Sequence, residues 1–345
     1  MTKMWEEILE QPSAVERCIN YNKGIIKELI TAVELKKIKM VIIAARGTSD
    51  HAAIYAKYAI ETLKGIPVSL AAPSVITVYD SSLDMSECLV LGISQSGKAE
   101  DVRLFLDSAK RQGGITVSLT NDLESPLARE ANFHLYCSAG EEKSVAATKT
   151  FTTQLASILY FVSEWANNAE MKKEILLLSG GIEETIDINK NMADVVERYR
   201  FMNECFVLAR GINYAASMET ALKIQETCYV RAKAYATSDF YHGPFAMVDK
   251  DMPVIMFLPE GQAYSDAYDM AKKVVGVGAD LLVVSNIDDA LMLGNVGLRI
   301  AQTSTDYISP FFNVVVAQMF ACELSLAKGL NPDSPRALNK VTITI

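Results

Sequence analysis

The chain has few histidines, three in 345 residues, and none of its six cysteines lies close to another in sequence. Cys18, Cys88, Cys137, Cys205, Cys228 and Cys322 are scattered through apolar segments, with no CxxC and no Cys/His cluster. That spacing argues against a disulfide framework and against a metal site, and fits reduced core thiols in a cytoplasmic protein. Met1-Thr2-Lys3-Met4-Trp5-Glu6-Glu7 lacks the apolar core expected of a signal peptide. The longest apolar stretch, Ser309 to Leu330, is broken by Asn313, Gln318 and Glu323 and reads as a buried helix rather than a membrane span. Positive charge is not in excess either. A net charge of −9 and a pI near 5.1 argue against nucleic acid or an anionic membrane as partner. An anionic ligand would have to be caught by local donors.

Half of the residues are apolar, enough to bury a substantial core, and the length suits two domains. Apolar β-rich runs alternate with helical patterns, which predicts parallel strands joined by crossover helices. In the first half the expected strands are Met40–Ala44, Val68–Ala71, Cys88–Ile93, Ile115–Leu119 and Phe133–Cys137. Expected helices lie near Ser49–Lys64, Ala99–Gln112 and Thr148–Trp165. The second half repeats the scheme, with strands near Cys205–Ala209, Val254–Leu258 and Asp280–Val284. Its helices are expected near Tyr214–Tyr229, Ala263–Val277 and Phe311–Ala327.

The halves share a register. Ala45-Arg46-Gly47 and Ala209-Arg210-Gly211 each follow a first strand, at an offset of 211 minus 47, or 164 residues. The same offset carries Cys88–Ile93 onto Met252–Phe257 and Gly113–Leu119 to within two residues of Gly278–Val284. A duplicated α/β domain follows. The organisation expected is a helical segment over 1–35, a first domain over 36–180, a second over 181–330 and a tail over 331–345.

The copies differ in chemistry. Ser94-Gln95-Ser96-Gly97 sits between the strand Cys88–Ile93 and a helix start. Alone, such a tetrapeptide is an ordinary turn. In this context, unpaired N–H groups, the helix dipole, two hydroxyls and a glycine make an anion site. Thr48 and Ser49 stand at the equivalent place after the first strand. The second copy has Gly211-Ile212-Asn213 and Pro259-Glu260-Gly261 there, and Glu260 would repel a phosphate. Ligands of open α/β sheets lie beyond the carboxyl ends of strands, so a phosphate belongs to the first copy.

Glu219, Lys223 and Glu226 fall within roughly a 60° stripe of one predicted helix, with Met218, Ala221, Leu222 and Cys228 expected toward the core. Such a stripe is either a solvated face with an ion pair worth about 0.2–0.5 kcal/mol, or a carboxylate tuned by an ammonium to move a proton between neighbouring carbons. His242, stiffened by Gly243-Pro244, is either structural or a titratable group suited to sugar-ring opening. His51 and His134 fall inside regular elements, where structural roles are expected. Lys340 lies in the tail, either as part of a frayed terminus or as a third functional group.

These residues resemble the tandem sugar-isomerase (SIS) domains of glutamine–fructose-6-phosphate amidotransferase and of the related glucosamine-6-phosphate deaminases. The resemblance runs through Glu10-Gln11-Pro12, Arg46-Gly47-Thr48-Ser49, Ser94 to Gly97, Ser144-Val145-Ala146-Ala147-Thr148-Lys149, Glu219 to Glu226, His242-Gly243-Pro244 and the Pro335-Arg336 tail ending on Lys340-Val341-Thr342. It implies two duplicated SIS domains, each a parallel sheet flanked by helices in a three-layer, flavodoxin-like α/β/α arrangement. It also implies that Thr48, Ser49, Ser94, Gln95 and Ser96 hold a sugar phosphate while Val145 and Ala147 line the sugar. Glu226 would shuttle a proton between C1 and C2 with Lys223 near the C1 oxygen. His242, from a neighbouring subunit of a homodimer, would open the ring. Lys340 would close the site and could form a Schiff base. No metal or redox cofactor is implied.

Two departures stand out. Gly97-Lys98-Ala99 replaces the amidotransferases' Gly-Glu-Thr, which removes one phosphate hydroxyl that Lys98 could offset by charge. The sequence also opens at the family's second module, so no glutaminase with an N-terminal cysteine nucleophile is expected. The expectation is therefore an isomerase/deaminase taking glucosamine 6-phosphate to fructose 6-phosphate and ammonia, or the reverse with free ammonia. A deglycase of amino-acid–sugar 6-phosphate adducts and a non-catalytic sugar-phosphate sensor are the alternatives.

Overall fold

Continuous apolar runs of five or six residues, buried on both faces, are what a parallel sheet covered by helices needs. In the computed structural model, which describes residues 1–303 and 305–340, the chain builds two such sheets in two compact units. The Val341-Thr342 end of the tail lies outside the described residues.

The first-sheet unit comprises residues 13–142 and 149–176 with Asn339 and Lys340. Its strands are β1 (Met40–Ala44), β2 (Val68–Leu70), β3 (Cys88–Ile93), β4 (Ile115–Thr120) and β5 (Phe133–Tyr136). They are all parallel, in the order β2-β1-β3-β4-β5. The helix Glu100–Arg111 turns Val102, Phe105, Leu106 and Ala109 onto Ile42, Ala44 and Val90. Burying a side chain such as Phe105 contributes about 1.5–3 kcal/mol. At the β5 edge the Asn22 amide stands in for a further strand. Its Nδ2 donates to the Tyr136 carbonyl at 2.8 Å and its Oδ1 accepts from the Tyr136 N–H at 2.9 Å, which closes off backbone groups that would otherwise invite pairing.

The second-sheet unit comprises residues 1–12, 143–148 and 177–338. It contains β6 (Glu204–Ala209), β7 (Arg231–Ala236), β8 (Pro253–Phe257), β9 (Asp280–Ser285) and β10 (Val296–Arg299). The order β10-β9-β8-β6-β7, all parallel, is the first sheet's order reproduced strand for strand. Both follow the flavodoxin-like 2-1-3-4-5 pattern, in which the crevice opens between the first and third strands. Phe206, Leu208, Met256, Met270, Val274, Leu281 and Val283 form its core.

The helix Ser309–Ala327 is long and apolar enough for a membrane span, but 83% of its apolar window is buried within the protein. Its polar breaks are internal links: Asn313 Nδ2 donates to Asn213 Oδ1 at 2.8 Å, and Gln318 Oε1 accepts from Gln11 Nε2 at 2.9 Å. All six cysteines are free and buried. Two strands escape the sequence reading, β7 and β10. Both lie at edges of the second sheet, and β7 (Arg-Ala-Lys-Ala-Tyr-Ala) mixes charge with small residues.

Candidate functional site

In the first-sheet unit the hydroxyl loops sit at the switch point of the sheet. The β1 loop turns at Gly47, whose φ of +56° suits glycine, and the helix Thr48–Leu63 starts without a side-chain cap. Ser49 is buried and its Oγ accepts from Gln154 Nε2 at 3.1 Å; Thr48 is half-buried. Ser94 is buried at the end of neighbouring β3, with Gln95 and Ser96 half-buried beside it. Gly97 holds a φ of +63° where a Cβ would stand 2.1 Å from Ser125 Oγ, so only glycine fits. The helix Glu100–Arg111 that follows also lacks a side-chain cap. Thr48, Ser49, Ser94, Gln95 and Ser96 thus follow the carboxyl ends of two adjacent strands, each group at or just ahead of a helix start, an arrangement suited to an anion. Lys98 is exposed, two residues ahead of the helix.

Arg46, exposed in the β1 loop, ties the two loops together. Its Nη2 pairs at 2.8 Å with Asp101, whose side chain is only 3% exposed, so the first loop is tied to the helix behind the second. The second sheet repeats the tie: Arg210 Nε lies 2.9 Å from Asp266 at the start of the helix Tyr264–Gly276.

Lys340 rests in the same unit on Glu142, at 2.8 Å. The Glu142 carboxylate is fully buried and also accepts from Thr150 N at 3.0 Å and Thr150 Oγ1 at 2.7 Å. It therefore serves the first turn of the helix Lys149–Trp165 as well as the tail. His134 is half-buried, with Nε2 2.9 Å from Thr120 Oγ1; burial pushes its pKa down to about 4, against the pull of Asp122. His51 is buried in the helix after β1.

In the second-sheet unit the stripe on the helix Tyr214–Cys228 proves to be interior. Glu219 and Lys223 are buried, and Lys223 Nζ lies 3.3 Å from Glu219 Oε1 and 2.5 Å from Glu226 Oε2. The solvated-face reading is thereby corrected. The helix packs against β6, β7 and the helix Ser309–Ala327, so little of its circumference meets water. Met218 and Leu222, expected in the core, are only half-buried. Burial works against the charge on Lys223, but the two carboxylates outweigh it and hold its pKa above the ordinary lysine value. Glu226, with 23% of its side chain exposed, is the member that opens to solvent. A carboxylate fixed by a buried ammonium and open on one side can take and return a proton.

Val145 and Ala147 lie on a segment in the same unit that is pinned from below. Glu7 accepts from the Ser144 N–H at 3.3 Å and, more closely, from the Lys143 N–H and the Ser144 hydroxyl. The Val145 N–H donates to the Asp333 carbonyl at 3.2 Å. Ser144, Ala146 and Thr148 point inward while Val145 and Ala147 stay half-exposed, presenting small apolar faces. The buried Gln11 accounts for the Glu10-Gln11-Pro12 string through its bond to Gln318. The Arg336 guanidinium stacks 4.2 Å from the Tyr229 ring centroid, and the Arg336 backbone N–H donates to Tyr229 Oη at 2.7 Å. His242 is exposed in the turn after β7, with its N–H bonded to the Asp239 carbonyl at 3.0 Å. Among the described residues, no group of three or more His, Cys, Asp or Glu side chains is placed to hold a metal ion.

Sequence reasoning missed Glu7, Glu142, Gln154 and the Arg46–Asp101 pair. Each depends on a partner far away in sequence, and only the repeated Arg-Gly after each first strand gave a hint of the last.

The SIS domain model matches residues 34–164 and 202–328. A glutamine–fructose-6-phosphate aminotransferase of Aquifex aeolicus is 33% identical over 99% of this chain, which spans 57% of that relative's length. Among solved structures, a candidate phosphosugar isomerase from Silicibacter pomeroyi is 32% identical with a TM-score of 0.85, covering 96% of this chain and 100% of that one. The C-terminal domain of glucosamine-fructose-6-phosphate aminotransferase from Francisella tularensis is 26% identical with a TM-score of 0.86, covering 97% and 98%. With the duplicated sheets and the hydroxyl loops in place, the chain belongs to the SIS domain family and carries the domain twice.

Proposed function

We propose that the protein interconverts an aminosugar 6-phosphate and its ketose, with glucosamine 6-phosphate and fructose 6-phosphate plus ammonia as the pair. The phosphate would be held by the Thr48-Ser49 and Ser94–Ser96 loops, and Glu226 would carry the proton between C1 and C2. Lys223 would hold that carboxylate in place and stabilise charge on the C1 oxygen. His242, exposed on its turn, would assist ring opening in the site of a second copy, which makes the working form a homodimer. Lys340 would close the site from the tail.

The observation that carries this reading is the Glu219–Lys223–Glu226 triad, buried except at Glu226. A sensor of sugar phosphates needs the loops alone. A buried ion triad is costly unless each charge is paired, and its retention supports chemistry. Incubation with glucosamine 6-phosphate, following both fructose 6-phosphate and ammonia, is expected to show turnover. Glu226→Gln should lower kcat by at least about 100-fold, in line with general acid–base catalysis, while phosphate binding persists. Absence of both products, or unchanged turnover in the variant, refutes the proposal.

A further inference from the structure

We infer that Gln154 is a positioning residue of the phosphate site, occupying a lone pair of Ser49 so that the Ser49 proton is directed at the bound ester oxygen. The inference rests on the proposed phosphate reading. Gln154 lies in the helix Lys149–Trp165 and is 1% exposed, and its Nε2 donates to Ser49 Oγ at 3.1 Å. A serine hydroxyl has one proton to give and two lone pairs to offer. With one lone pair taken by the amide, the proton of this buried hydroxyl is left for another acceptor at the head of the helix Thr48–Leu63.

A second observation separates this contact from ordinary core packing. The Gln154 Oε1 atom is buried without a hydrogen-bond partner. Such a group is costly in a protein interior, and its persistence calls for a reason. The duplicate provides the control. Gln318, 164 residues on by the same register (318 minus 154), has both ends satisfied: Oε1 accepts from Gln11 at 2.9 Å and Nε2 donates to the Thr148 carbonyl at 3.3 Å. Ser49's counterpart Asn213 bonds instead to Ser309 and Asn313. At this register position the half-satisfied amide belongs to the copy with hydroxyl loops; in the second copy the unpartnered amide oxygen is that of Asn313, which bonds Asn213 through Nδ2.

The test is calorimetric binding of inorganic phosphate to the full chain, with steady-state kinetics on glucosamine 6-phosphate. Gln154→Met is expected to raise the phosphate Kd and the KM about tenfold, as for loss of one hydrogen bond to a charged group, with kcat within about twofold. On a Ser49→Ala background it should add nothing. The same-length Gln154→Glu, whose carboxylate would claim the Ser49 proton, should weaken phosphate binding further and serves if the methionine variant does not fold. Unchanged Kd in the folded variants, or an equal loss with and without Ser49, overturns the inference. Ser94→Ala and Ser96→Ala locate such a failure. If they weaken phosphate binding, Gln154 alone is misassigned; if they do not, the phosphate reading itself falls.

Discussion

Lys223→Met tests the electrostatics of the interior triad most directly. Lys223 is buried, and the carboxylate of Glu219, 3.3 Å away, is entirely so. Replacing the ammonium by an isosteric apolar group leaves Glu219 without its cation and sets two carboxylates near one another. Removing one partner of a buried ion pair costs about 3–5 kcal/mol, a large share of the roughly 5–15 kcal/mol that holds a domain together. Urea unfolding at pH 7 should therefore show a midpoint well below the wild type. Adding Glu219→Met removes the stranded charge and should recover about 1–3 kcal/mol, since an apolar replacement of the whole pair is often neutral.

The pH dependence has a definite sign. The folded pKa of Lys223 is raised, so its contribution is complete below the unfolded lysine value of about 10.4 and is lost as pH climbs through the higher folded value. Between pH 6 and 9 the gap between wild type and Lys223→Met should stay constant as far as the lysine is concerned. A deficit under about 1 kcal/mol, or a double variant no more stable than the single one, would show that the triad is not the buried charge network described.

Two further outcomes follow from the geometry. Gly97→Ala should lose at least about 1–2 kcal/mol of stability from its positive φ alone, with the Ser125 clash adding to it and phosphate affinity falling in parallel, as read by thermal melting with and without phosphate. His134, with a pKa depressed to about 4 by burial, should destabilise the fold as pH falls from about 6.5 toward 4. His134→Gln should flatten that part of the stability profile in urea titrations at stepped pH, and an unaltered slope would discount the burial of the imidazole.

Much of the fold was legible because its central strands announce themselves. Met40–Ala44 and Cys88–Ile93 match observed β1 and β3 residue for residue, since a strand covered on both faces must be apolar throughout. The edge strands β7 and β10 carry polar and exposed positions, so their composition does not separate them from loop. The hydroxyl loops were legible from their place after strands. The orientation of the Glu219–Lys223–Glu226 stripe was not, because helical spacing says which residues share a face but not whether water or another helix covers it. Glu7, Glu142 and Gln154 meet partners set by tertiary packing, which leaves no local periodicity to read.

The Arg46–Asp101 tie and its double, Arg210–Asp266, separate scaffold from chemistry within one molecule. The second sheet keeps this brace although isoleucine, proline and glutamate stand where the first has its hydroxyl loops, so the brace goes with the shared frame rather than with the hydroxyls. In the second sheet the same place is nearly filled, a cavity of about 10 Å³ among Arg210, Asn213, Pro259 and Asp306, so one frame holds an open loop pair in one copy and a packed plug in the other.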